Sequence, residues 1–262
     1  MSSQRSKDIL NFVVTGQVRC GASVIQTSVR SHPKATCHGD LLHHEEDVRR
    51  ETHEEYFGAP FKAAMPEHCI PGEVNPEQYL SARVFDSPLN GEEAIGVKVL
   101  FPHLKANDLW EFLHERSLEG DFCTILVLRN PVACYVSWKQ ALQTGVFQQD
   151  IDDRQPLNSP LPVDLEPSKL VPFVRWHVAF EERVRQYCDD RLEIHYRELF
   201  LNYHEVMGQV FEYLELPPYA AVTPSCRRLK NRSMRQRIAN FHTVRLELPD
   251  DVRVYLDAED LF

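Results

Sequence analysis

Several features that would settle the class of a protein at once are missing from this sequence. In 262 residues no stretch approaches the roughly 18 consecutive apolar residues that a membrane span needs, and the opening MSSQRSKD is polar, unlike a secretory leader. These absences predict a soluble, cytoplasmic protein with no membrane span. Basic charge is also short. The formal net charge is −10, which argues against a nucleic-acid binder, since that work needs many Lys and Arg contacts to phosphate. An anionic ligand must therefore meet a local basic cluster. There is no CxxC pair. The seven cysteines (Cys20, Cys37, Cys69, Cys123, Cys134, Cys188 and Cys226) are odd in number and scattered, so reduced thiols are expected rather than a disulfide framework. No GxxxxGK[ST] loop and no HExxH pair occurs, nor any internal repeat or low-complexity tract. Among the twelve histidines, His43, His44, His53 and His68 lie near acidic residues without the spacing of a ligand set, so they read as surface groups and no metal site is expected.

What is present is a regular alternation of apolar runs and amphipathic stretches. An apolar run over 9–15 ends at Gly16 and leads into a helical segment from Ser23 to Ser31. A short strand over 35–38 follows, then strands over 95–100, 123–128 and 192–196. Helices are expected near 77–84, over 107–116, after the cap-and-proline pair Asn130-Pro131, and along the face Leu170, Phe173, His177, Phe180, Val184, Tyr187. His177 on that face reads as a core histidine with a hydrogen-bond partner. Asn202 to Glu205 resembles a capping box opening a further helix. Strand and helix alternate about five times, which predicts an α/β fold: one domain over 1–262, with a central parallel sheet flanked by helices and variable insertions near 41–92 and 145–167. In such sheets ligands bind at the carboxyl ends of the strands.

Two segments sit where that rule points. Gly16-Gln17-Val18-Arg19-Cys20-Gly21-Ala22-Ser23 lies between a strand and a helix, where glycines, a helix N-terminus and the Arg19 charge together suit a phosphate. A plain strand-to-helix turn accounts for the loop equally well. Arg129 ends the apolar strand over 123–128, and Ser137, seven residues past Asn130, returns two helical turns later to the same face. An arginine fork and a hydroxyl converging there suit a second phosphate; an arginine paired with a nearby carboxylate is the simpler alternative. A third cluster is C-terminal: Arg227, Arg228, Lys230, Arg232, Arg235, Arg237 and Arg245, with no acidic residue between Glu215 and Glu247. It answers the need for a local basic cluster, and reads otherwise as a solvated face.

Together these segments resemble the family of sulfotransferases that use 3′-phosphoadenosine-5′-phosphosulfate (PAPS). Arg19-Cys20-Gly21-Ala22-Ser23 is similar to its 5′-phosphosulfate loop, and Arg129 with Ser137 to its 3′-phosphate motif. Ser31-His32-Pro33 with His38-Gly39-Asp40, Gly96-Val97-Lys98 and Tyr196-Arg197-Glu198-Leu199 follow in the family's order. Ser137-Trp138-Lys139-Gln140-Ala141 resembles the bacterial branch that sulfates nodulation factors and trehalose. The matches cover roughly residues 10–245. Two positions depart from the pattern: Cys20 stands for a serine, and Ala22 for a hydroxyl residue.

The resemblance implies a P-loop-like nucleotide-binding architecture and a sulfuryl transfer from PAPS, without metal, to a hydroxyl on a glycan, lipid or small molecule. It places Arg19, Cys20, Gly21, Ala22 and Ser23 around the 5′-phosphate, and Arg129, Ser137, Lys230, Arg232 and Arg235 toward the 3′-phosphate. Tyr196 is implied as a further nucleotide contact, and Lys98 as the group that neutralises charge on the leaving phosphate or sulfuryl oxygens. Asp40 is the expected general base, with His103 as its rival. A homodimer is among the assemblies left open. Two other functions share these features: a P-loop small-molecule kinase, and a non-catalytic nucleotide-binding protein, the latter motivated by Ala22.

Overall fold

A computed structural model describes residues 9–39, 41–42, 75–86, 91–118, 120, 122–145, 161–220 and 233–258. The five expected strands form: β1 (Leu10–Gly16), β2 (Ala35–His38), β3 (Ala94–Leu100), β4 (Phe122–Leu128) and β5 (Arg191–His195). They form one parallel sheet in the order β2-β3-β1-β4-β5. Every residue of β1 and of β4 is buried. That is why these strands read as nearly continuous apolar runs: a parallel sheet covered on both faces has no solvent side, and its few polar residues, Asn11, Thr15 and Thr124, are buried with the rest.

The helices, in chain order, are α1 (Ala22–Arg30), α2 (Pro76–Tyr79, continuing into a π-helical turn over Leu80–Phe85), α3 (Phe101–Ala106), α4 (Trp110–Leu118), α5 (Pro131–Thr144) and α6 (Pro167–Tyr187). Beyond β5 come α7 (Tyr196–Leu201), α8 (Tyr203–Tyr213), α9 (Met234–Arg237), α10 (Phe241–Glu247) and α11 (Asp250–Asp257). Side chains alternate across β1 with period two. Phe12 and Val14 pack with Ile25, Val29 and Phe211 from α1 and α8. Val13 instead joins Phe101, Leu104, Trp110 and Phe180 from α3, α4 and α6 on the opposite face. A third cluster, including Val136, Leu170, Met234, Ile238, Val244 and Val252, ties α5 and α6 to the C-terminal helices.

Two features differ from the sequence reading. A single helix over 107–116 was expected, but Asp108 takes a left-handed conformation (φ 50°), so one helix ends before it (α3) and the next begins at Trp110. Asn202 does precede a helix, yet its side chain makes no cap bond. Its backbone N–H instead donates to Glu198 O at 2.8 Å, closing α7. Asn130 caps as expected, its Oδ1 accepting from Ala133 N–H at 3.1 Å. His177 is 1 % exposed, with Nε2 2.8 Å from Glu181 Oε1.

The edge strand β5 is pinned by charge. Glu193 accepts two bonds from Arg185, each 3.0 Å, and one of 2.9 Å from Arg191. Arg185 foremost, opposed by burial and assisted by Arg191, pulls the Glu193 carboxyl down to about 2, against roughly 4.3 in an unfolded chain. The depressed value means that this carboxylate stabilises the fold fully above the unfolded pKa and progressively less as pH falls toward the folded one. Glu193→Gln should therefore unfold at lower denaturant than wild type at pH 7, and the gap should close between about pH 5 and pH 2. Urea titrations across that range check it; a gap independent of pH would assign the effect to packing.

Candidate functional site

The parallel register brings the carboxyl ends of β1, β3 and β4 to one rim. Gly16 pairs with Leu100 on one side and Val127 on the other, and Lys98 lies opposite Val14. The chain leaving β1 must turn sharply there. A Cβ on Gly16 would come within 2.6 Å of the Val127 carbonyl oxygen and 2.7 Å of Cys20 Sγ, so only glycine lets loop, neighbouring strand and Cys20 approach this closely. Gln17 is buried and holds the turn from within: its Oε1 accepts from Val18 N–H at 2.7 Å, and its carbonyl from Cys20 N–H at 3.1 Å.

Arg19 follows in a left-handed conformation (φ 68°), which an L-residue adopts only at a cost that its surroundings must offset. Two bonds do so. Arg129 Nη1 donates to the Arg19 carbonyl at 2.7 Å, and Arg19 Nε donates to Ser137 Oγ at 3.2 Å. Ser137 is 7 % exposed and sits on α5 as the two-turn spacing from Asn130 predicts. The two suspected phosphate segments are thus in direct contact. Lys98, 5 % exposed, comes from the adjacent strand and donates from Nζ to Ser23 Oγ at 3.1 Å. Gly21 occupies the N-cap of α1 with φ 101° and no side-chain cap. The first-turn N–H groups are therefore those an incoming anion would meet.

The departures at Cys20 and Ala22 have a common explanation. Both side chains are buried in the apolar cluster under α1, so neither contributes to the polar lining. Burial pushes the Cys20 thiol up to about 11, against the opposing pull of the Ala22 backbone, Arg129 and Lys98; it stays protonated near neutral pH. The loop's polarity rests on Arg19, Ser23 and its backbone, with Lys98 reaching in from β3.

Other expected residues divide clearly. Tyr196 joins the site: the Arg129 guanidinium carbon lies 3.8 Å from its ring centroid. His103 is buried on α3, and its Nδ1 accepts from Leu100 N–H at 3.4 Å. Arg235 is exposed on α9. From the same basic segment Arg237 donates to Gln140 Oε1 at 3.1 Å, and Arg245 makes two bonds to Asp257, 2.6 and 2.8 Å, so Arg245 serves the packing of α10 on α11. Asp40, Arg227, Arg228, Lys230 and Arg232 lie outside the described residues. A cleft of about 260 Å³ opens beside Arg129 and Tyr196 at the ends of β4 and β5, walled in part by Glu181, His195 and Tyr255. Among the described residues, no group of three or more His, Cys, Asp or Glu could hold a metal ion, and no helix is long and apolar enough to cross a membrane.

Nothing in the residue spacing signals how tightly the loop is covered. A Cβ on Gly21 would fall 2.9 Å from Tyr196 Cδ2, in a left-handed backbone conformation. Gly21→Ala should cost about 1–3 kcal/mol from backbone strain alone and displace the ring. Chemical denaturation beside wild type measures this, and a loss below about 0.5 kcal/mol would mean that the loop relaxes freely.

No family model matches the chain, and no curated protein matches it. Among solved structures it is similar to a sulfotransferase from Alicyclobacillus acidocaldarius, with 12 % identity and a TM-score of 0.47 over 95 % of this chain and 94 % of that one. It is also similar to the sulfotransferase domain from the Synechococcus PCC 7002 olefin synthase, with 11 % identity and a TM-score of 0.39 over 97 % and 88 %.

Proposed function

We propose that the protein transfers a sulfuryl group from PAPS to a hydroxyl acceptor. The observation that carries this reading is the junction between the two anion-binding segments: Arg19 in the β1–α1 loop bonded to Ser137 on α5, with Arg129 holding the Arg19 carbonyl. A ligand with one anionic group matches one segment. A nucleotide with anionic groups at both 5′ and 3′ positions matches both. The uncapped turn at Gly21 and the buried amine of Lys98 beside Ser23 fit the 5′ side, and the Arg129 fork with the Ser137 hydroxyl fits the 3′ side.

PAPS, when bound, supplies an activated sulfuryl group whose sulfur–oxygen bond to the 5′-phosphate breaks as the bond to the acceptor oxygen forms, leaving adenosine 3′,5′-bisphosphate. The chain contributes position and charge, as in phosphoryl transfer. Arg19, Ser23 and the backbone of Cys20, Gly21 and Ala22 hold the 5′-phosphate, while Lys98 opposes the charge that develops as it leaves. Arg129 and Ser137 take the 3′-phosphate, joined by Arg235, Lys230 and Arg232 from the C-terminal basic segment. Asp40 accepts the acceptor's proton. It stands two residues past the end of β2 in sequence, and the last residue of β2, His38, is in register with Val97, the neighbour of Lys98, which motivates the assignment. His103 is the weaker candidate, being buried with one ring nitrogen already accepting a bond.

The test is turnover with PAPS and a panel of glycan, lipid and small-molecule alcohols in EDTA, following release of the bisphosphate. Acceptor-dependent release is expected. ATP consumption with magnesium and no reaction with PAPS would establish a kinase instead, and nucleotide binding without turnover on any acceptor a non-catalytic protein.

A further inference from the structure

Tyr196 opens α7 immediately after β5, and its ring lies between the two anion-binding segments. Against the ring sits the Arg129 guanidinium, 3.8 Å from the centroid. Against Cδ2 and Cε2 sits Gly21, close enough that an added Cβ would meet them at 2.9 and 3.3 Å. Phe200 packs beside the ring with 4.6 Å between centroids. Among the described residues the Tyr196 hydroxyl makes no hydrogen bond. The contacts of this side chain are made by its ring.

We infer that Tyr196 is a positioning residue whose ring, rather than its hydroxyl, clamps Arg129 and the Gly21 turn into one rigid unit. Arg129 has a long, rotamer-rich side chain, held here in the orientation that sends Nη1 to the Arg19 carbonyl. A guanidinium lying on an aromatic face is attracted by the ring quadrupole and restricted in rotation. The same ring fills the space into which the Gly21 turn would otherwise relax, so the left-handed conformations at Arg19 and Gly21 are held from both sides. The ligand part of this inference rests on the sulfuryl-donor reading. The clamp on the loop does not.

Two measurements on Tyr196→Phe and Tyr196→Leu test it, with Tyr196→Met in reserve should the leucine variant fail to fold. The first needs no nucleotide. Cys20 lies inside the clamped loop and is 1 % exposed; its alkylation by N-ethylmaleimide, resolved by mass spectrometry, is compared with that of buried Cys123 and Cys188. Removing the ring should speed Cys20 labelling by about fivefold or more relative to the other two, on a cation–π and packing loss of order 1 kcal/mol, and the phenylalanine variant should match wild type. Unchanged Cys20 labelling in the leucine variant, equal acceleration at all three cysteines, or a phenylalanine variant as reactive as leucine would each overturn the clamp. The second is affinity for adenosine 3′,5′-bisphosphate by calorimetry. Tyr196→Leu should weaken it roughly 2- to 30-fold and Tyr196→Phe less than about twofold, with little further loss when leucine is added to Arg129→Ala. Additive losses, or a phenylalanine variant as weak as leucine, would place the tyrosine on the ligand instead. A wild-type protein that ignores the bisphosphate refutes the sulfuryl-donor reading, and the alkylation result then decides the clamp alone.

Discussion

Lys98→Met should lower turnover by roughly 10²- to 10³-fold, the usual effect of removing one charge-stabilising donor from a transition state, while nucleotide affinity changes only a few-fold. Methionine replaces the aliphatic stem up to the terminal amine in a position that is 5 % exposed, so the fold should hold. What disappears is the amine that donates to Ser23 Oγ. Such an amine, fixed at a rim with little room for water, acts on charge as it develops rather than on the resting ligand. Steady-state kinetics beside calorimetric titration separate the two effects. If affinity falls as far as turnover, Lys98 is a ground-state anchor and the loop alone carries the transition state.

A large effect is also expected at Asp40, the proposed proton acceptor. Asp40→Asn should lose roughly 10²–10⁴ in turnover with nucleotide affinity retained, the range for a positioned general base. Amide and carboxylate share a shape, so the comparison isolates basicity. His103→Ala is the control, with its own signature. It removes the acceptor that meets Leu100 N–H at the end of β3, so its main effect should be on stability. Near-normal turnover in Asp40→Asn beside collapse in His103→Ala at full folding would exchange the two roles.

The central strands were legible because burial on both faces leaves few polar interruptions in β1 and β4; the half-buried edge strand β5 carries Arg191, Glu193 and His195. β2 matches the sequence reading at both ends, and each other strand falls within one residue of it. The Asn130-Pro131 cap was legible because a side-chain acceptor and a fixed φ act within four residues of chain. The helix pair after β3 was not. Phe101 and Pro102 continue the strand's apolar run without a helical period, and the break depends on the backbone turn at Asp108. Asn202 shows the limit of a capping signature: the helix begins where the motif places it, but the bonds that open it are backbone ones.

The site was legible as a set of positions and not as a mechanism of support. Arg19, Ser23, Lys98, Arg129 and Ser137 are linked by hydrogen bonds at the carboxyl ends of β1, β3 and β4 and on the helices that follow β1 and β4. That Arg129 bonds the Arg19 backbone, or that the Tyr196 ring lies against Gly21, requires contacts across more than a hundred residues of chain, for which spacing carries no signal. Cys20 and Ala22 look in sequence like a loss of polarity in the loop. The structure turns both side chains toward the core, a distinction that φ at Arg19 and Gly21 determines and the residue types do not. Arg245 likewise reads as part of a ligand-facing basic run until Asp257 is found beside it.

The most direct measurement is thermal or chemical denaturation with adenosine 3′,5′-bisphosphate in EDTA, set beside ATP with magnesium. At a ligand concentration about 100 times its dissociation constant, the bisphosphate should stabilise the fold by roughly 2.7 kcal/mol, or about 5–10 °C for a chain of this size, without any metal. No shift with the bisphosphate together with a clear one from ATP and magnesium would contradict the account, because a site with two coupled anion subsites would then be taking a ligand that fills only one.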